Sequence, residues 1–180
     1  MRLENLPAGK DIPDDINVVI EIPSHSSPIK YEVDKESGMV VVDRFLGTSM
    51  SYPCEYGFIP HTLSEDGDPV DVLVISPFSL NPGVMVRCRP IGMLRMTDES
   101  GKDTKILAVP VNKLTPRYQH IQKPEDLGVE FLHTVEHFFM HYKDLEAGKW
   151  AKVEGWENLD SARKEIIAGV DRYQKQAEVA

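Results

Sequence analysis

The sequence predicts an α+β protein that is mainly β: short strands forming a small barrel or sandwich, with helices packed against it. Three observations point there. The first two thirds of the 180 residues carry alternating or β-branched apolar positions in short runs. Clusters of Ser, Pro and Gly break those runs at close spacing. The last third changes to a helical period.

The strands are taken in order. "NVVIEIP" (17–23), "IKYEVD" (29–34) and "MVVVDRF" (39–45) come first. "VDVLVIS" (70–76), "VMVRCRPIGML" (84–94) and "TKILAVPV" (104–111) continue the pattern. In "EFLHTVEHFFMHYKDLE" (130–146), Phe131, Val135, Phe138, Tyr142 and Leu145 follow helical spacing, and Gly148 lies where a stop is expected. "DSARKEIIAGVDRYQKQAEVA" (160–180) reads as a second helix, with Ala162, Ile166, Val170 and Tyr173 on one face. No repeat or linker divides the chain, so residues 1–180 read as one domain.

Composition excludes several classes. An apolar share of 41% is that of a globular protein, and no apolar run is long enough to cross a bilayer. The N-terminus is charged and proline-rich where a signal peptide needs an apolar run, so a cytoplasmic protein with no membrane partner is expected. A net charge of −9 without a basic run argues against nucleic acid as a partner. It does not argue against a phosphate ligand, because carboxylates can hold metal ions that invert the local charge. Cys54 and Cys88 lack metal-type spacing and read as buried thiols.

The chemistry concentrates in "EDGDPVD" (65–71). Gly67 and Pro69 make a turn, from which Asp66 and Asp68 project. Asp71 opens the next strand on the face opposite Val70 and Val72, so the three carboxylates can converge at a barrel mouth. A solvated acidic turn is the plain alternative. An EF-hand loop counted from Asp66 fails, because Asp71 and Pro77 stand where Gly and Glu are needed. A phosphatase D-x-D-x-[TV] loop fails because "PHTLSE" before it is not an apolar strand. A carboxylate cluster for hard cations remains.

Other residues extend the cluster. "MTDESGKDTK" (96–105) is hairpin-like and carries Asp98, Asp103 and Lys105. Glu21 lies in an apolar strand, where a charge is costly unless paired or metal-bound. Lys30 and Glu32 share a strand face, and Arg44 lies in the third strand. With Lys143, Tyr56 and Tyr142, this set has carboxylates for a metal and cations and phenols for phosphoryl oxygens.

At these residues the chain resembles the soluble family I inorganic pyrophosphatases, in their bacterial form. "DGDPVDV" (66–72) fits the family signature. "YPCEYGFIPHTL" (52–63), "RPIGMLRMTDESGKDTKILAVP" (89–110) and "VEHFFMHYKDLE" (135–146) are similar to family stretches, as are "PAGKDIPDDINVVIEIP" and "PIKYEVDKESG" near the start. The resemblance implies a five-stranded OB-like barrel with helices, Mg²⁺ as cofactor, pyrophosphate as substrate and a homohexamer. It implies metal ligation by Asp66, Asp71 and Asp103, with Asp98 and Glu21 completing the shell. It places Asp68 as general base toward metal-activated water. Lys30, Arg44, Tyr56, Lys105, Tyr142 and Lys143 fall at phosphate-contacting positions, with Glu32 an acidic neighbour in that subsite. Glu55, where Asn is frequent, and Met140, where an acid is frequent, depart from the pattern.

Two rival readings stand beside it. "HTVEH" (133–137) matches the H-x-x-E-H zinc motif, so His133, Glu136 and His137 could serve a zinc metallohydrolase, with His141 on the same face. The same histidines also fit the flank of a helix or a subunit contact. A non-catalytic OB-type module would need exposed aromatics and a basic groove, which this composition disfavours. "AGK" (8–10) lacks the rest of a phosphate loop. Trp150 and Trp156 read as packing anchors.

Overall fold

A computed structural model of the protein describes residues 5–179. In chain order the strands are β1 (Gly9–Asp11), β2 (Asp15–Ile22), β3 (Ile29–Val33), β4 (Val40–Phe45), β5 (Glu55–Phe58), β6 (Asp71–Val74), β7 (Met85–Asp98), β8 (Gly101–Lys102) and β9 (Lys105–Pro110). Helix α1 (Val129–His141), strand β10 (Ala151–Glu157) and helix α2 (Leu159–Val179) follow. Strands β2, β5, β6, β9 and β7 pair in that order, and β7 pairs back onto β2. Five strands therefore close on themselves, as an OB-like barrel requires. The β3–β4 hairpin stands apart as its own sheet.

Alternation along the strands fills two cores. Val70, Val72 and Val74 join Ile16, Val18, Ile20 and Ile106 in one cluster, which Ala162 and Ile166 of α2 complete. Leu73, Leu94 and Leu107 point the other way and pack with Val135, Phe138 and Phe139 of α1. Each such buried side chain contributes roughly 1.5–3 kcal/mol. Both faces of the ring are thus covered, one by each helix. Pro90 lies within β7 although it has no N–H for the ladder, and the register shifts between Pro90 and Gly92 to accommodate it. Gly57 lets β5 approach β2 closely: a Cβ there would sit 2.0 Å from the Val19 carbonyl oxygen.

Three sequence expectations are corrected. The first helix ends at His141, short of residue 146, and Gly148 is not its stop. Residues 142–149 form successive tight turns, such as Glu146 N–H to Lys143 O at 2.9 Å, which leave Leu145 exposed. The chain turns here while the buried Lys143 ammonium bonds acidic side chains. Trp150 is half exposed and anchors little, whereas Trp156 packs into the core. Strands β5 and β10 were not expected. Among the described residues no helix is long and apolar enough to cross a membrane.

Candidate active site

The acidic turn is built by its own backbone. The Ser64 N–H donates to Asp68 O at 2.7 Å, and Gly67 adopts φ +90°, a left-handed conformation that glycine tolerates best. The Asp68 N–H donates to Asp66 Oδ1 at 3.0 Å, so Asp66 braces the turn that displays Asp68. Asp68 is largely exposed, with the Lys35 ammonium 3.5 Å away. Pro69 then releases the chain into β6, where Asp71 is registered against Lys105 of the parallel strand β9.

That register creates a buried charge cluster. Lys105 Nζ donates to Asp71 Oδ2 at 2.7 Å and also to Asp103. Burial works against the charge on Lys105, but Asp71 and Asp103 outweigh it and hold the ammonium well above its usual range. Burial likewise raises the Asp71 carboxyl, opposed by the Lys105 charge and by hydrogen bonds from Lys105 and Tyr56. The Tyr56 phenol is pushed well up by burial and then by the Asp71 charge.

Across the cleft, Lys143 Nζ donates to Asp98 Oδ2 at 2.7 Å and to Glu99 at 3.2 Å. Burial pushes Asp98 up, but Lys143 and the Ser100 amide together outweigh it and leave the carboxyl below its ordinary value. Tyr142 lies beside both lysines; burial raises its phenol, and the Lys105 and Lys143 charges oppose that rise. Lys30 bonds Glu32 and lies 3.3 Å from Asp43. Arg44 faces Glu146 at 3.2 Å. Glu21 accepts the Val33 amide at 2.8 Å and has no ion pair among the described residues. Desolvation raises its pKa to about 8.

All thirteen residues singled out in the sequence line one cleft of about 500 Å³. Among the described lining residues nine carboxyls face six cations, and every donor a metal would meet is a hard oxygen. Glu21, whose carboxyl burial raises against the Val33 amide, is a hard-oxygen donor that a divalent cation beside it would hold ionised, so the donor set fits such a cation. Among the described residues, no three His, Cys, Asp or Glu side chains already stand as a ready ligand group. The Lys105 ammonium draws Asp71 and Asp103 to itself. The sequence reading missed Lys35, Glu99 and Lys149, which line the same cleft. Each lies in a turn, with no periodicity to flag it.

The departures and rivals lie elsewhere. The buried Glu55 carboxylate accepts from the Ser24 hydroxyl at 2.6 Å and its amide at 3.2 Å, and so ties the 23–26 loop to β5. His133 and His137 are exposed on α1, the His137 and His141 rings are 4.7 Å apart, and His141 Nδ1 lies 2.8 Å from Asp144. Cys54 and Cys88 are buried free thiols whose pKa values burial pushes up, so neither is poised as a nucleophile.

Comparison with known proteins gives matches over nearly the whole chain. The family model described as inorganic pyrophosphatase matches residues 18–174. The chain is 60% identical to the inorganic pyrophosphatase of Escherichia coli strain K12 over 172 residues, 96% of this chain and 98% of that one. Its fold matches an inorganic pyrophosphatase structure from Coxiella burnetii with a TM-score of 0.90 at 52% identity, covering 93% of this chain and 99% of that one. The Thermus thermophilus structure matches with a TM-score of 0.91 at 43% identity, covering 97% and 99%.

Proposed function

The chain belongs to the inorganic pyrophosphatase family and hydrolyses pyrophosphate, and on that premise we propose how its own residues divide the work. The family implies a divalent metal cofactor, and we propose Mg²⁺. Asp66, Asp71 and Asp103 hold it, with Asp98 and Glu21 completing the shell. When bound, such cations supply concentrated positive charge that acidifies water and neutralises phosphoryl oxygens. The observation that carries this reading is the convergence of nine carboxyls and six cations on one cleft.

Asp68 accepts the proton from the attacking water. Its exposed carboxylate, braced through the Asp66–Asp68 turn, suits a group that must meet solvent and substrate. Lys30, Arg44 and Lys143 bind the phosphoryl oxygens and spread the charge that develops on the leaving phosphate. Tyr56 and Tyr142 donate phenolic hydrogen bonds, which suits groups whose pKa values burial keeps high. Lys105 orients Asp71 and Asp103 and contacts phosphate, while Glu32 holds Lys30 in place. Residues 1–180 act as one domain, and the chains assemble as a homohexamer in the cytoplasm.

The test of the base is Asp68→Asn. It should bind metal and substrate as the parent does and turn over about 10²–10⁴-fold more slowly. Full activity in that variant would remove Asp68 from the role.

A further inference from the structure

Behind the acidic turn lies a second cavity of about 420 Å³. Phe58, Pro60, Leu63 and Pro69 wall one side, from the segments that enter and leave the turn. Tyr173 and Ala177, from the last turns of α2, wall the other. Volume and lining are those of a small-molecule site: mainly apolar, with few polar groups. The Tyr173 ring meets His61 edge-on at 5.0 Å, and aromatic or prolyl faces dominate the walls. Lys35 supplies the one ammonium among the described lining residues. Its side chain is 64% exposed and its ion pair is with the still more open Asp68 at 3.5 Å. Such a pair is worth little, so the ammonium is available to another anion.

We propose that this cavity binds a small aromatic anion, with its ring between Pro60, Pro69 and Tyr173 and its acidic group on Lys35. Lys35, Phe58 and Pro69 line this cavity and the catalytic cleft alike. An occupant therefore touches Gly67 and Pro69 of the turn that carries Asp66 and Asp68, at the border with the catalytic cleft. Nothing in the hydrolytic reading requires this second site, and its test does not depend on activity.

The probe is 1-anilinonaphthalene-8-sulfonate, titrated by fluorescence into the full chain with Mg²⁺ present. Its neutral counterpart N-phenyl-1-naphthylamine, which lacks the sulfonate, is the control. The native protein should bind the sulfonate saturably, at one site per chain. Ala177→Trp fills the cavity and should weaken both dyes at least tenfold. Lys35→Glu should weaken the sulfonate at least tenfold and leave the neutral dye within twofold. Because Lys35 is exposed, that variant keeps the test decisive even if Ala177→Trp folds poorly. Equal loss of both dyes in Lys35→Glu, or native affinity for the sulfonate in either variant, would overturn the proposal.

Discussion

At the scale of one residue, Glu21 shows what burial does to a carboxyl in this cleft. Its folded pKa is raised to about 8, whereas an unfolded glutamate titrates near 4.5. The metal-free folded state therefore holds an extra proton across that window. Its stability should fall as pH rises from about 5 to 8, by an amount on the order of a few kcal/mol. Glu21→Gln mimics the neutral acid and removes this dependence. Thermal melts in chelator should agree at pH 5, and the Gln variant should melt several degrees higher at pH 8. Parallel pH curves would refute the neutral-acid reading. A lone acid in an apolar strand could be picked out in the sequence, and so could the aspartate run and the Asp98–Lys105 hairpin. Lys35, Glu99 and Lys149 could not, because a single charge in a solvated turn looks the same whether it faces bulk water or a cleft. Only tertiary folding separates the two.

At the scale of elements, the acidic turn is held from behind by α2. Gly169 makes the contact possible: a Cβ there would lie 2.5 Å from Val70 Cγ2 and 3.3 Å from the Leu63 carbonyl oxygen. The Leu63 N–H also donates to Gly169 O at 2.9 Å, and Arg172 donates to Leu63 O at 2.8 Å. Gly169→Ala should cost about 1–3 kcal/mol in denaturant unfolding, because Val70 is buried and cannot swing away. The pair Gly169→Ala with Val70→Ala should lose less than the sum of the single changes, since the second relieves the clash. Additive losses would argue against the close approach. Helical spacing in the sequence located α2 and its buried Ala162 and Ile166 correctly. The same reading overran α1, because Tyr142 and Leu145 keep the period after the backbone has left the helix. It missed β5, where Gly57 breaks the apolar run, and β10, whose "AKVEGWE" mixes charges with a glycine.

At the scale of the whole molecule, the closure of the ring by β2 on β7 joins residues some seventy positions apart, such as Ile16 and Cys88. Strand patterns predict that strands exist, not which distant strands meet, so the five-stranded closure came from the family resemblance. Assembly belongs to the same scale. The His137 and His141 rings lie tilted, 4.7 Å apart, on the exposed side of α1 beside the exposed Met140. In the homohexamer proposed above a second chain covers this face, so His137→Glu with His141→Glu should lower the sedimenting mass, and an unchanged mass would count against the histidine contact. The most direct test of the central claim is phosphate release from pyrophosphate, followed as Mg²⁺ is raised and then removed with excess chelator, for the native chain and for Asp71→Asn. Rapid release that needs Mg²⁺, stops in chelator, and requires at least tenfold more Mg²⁺ in Asp71→Asn is the predicted result. Release by the native chain in chelator, or the same Mg²⁺ requirement in both proteins, would contradict the assignment of the aspartate cluster as the metal cradle.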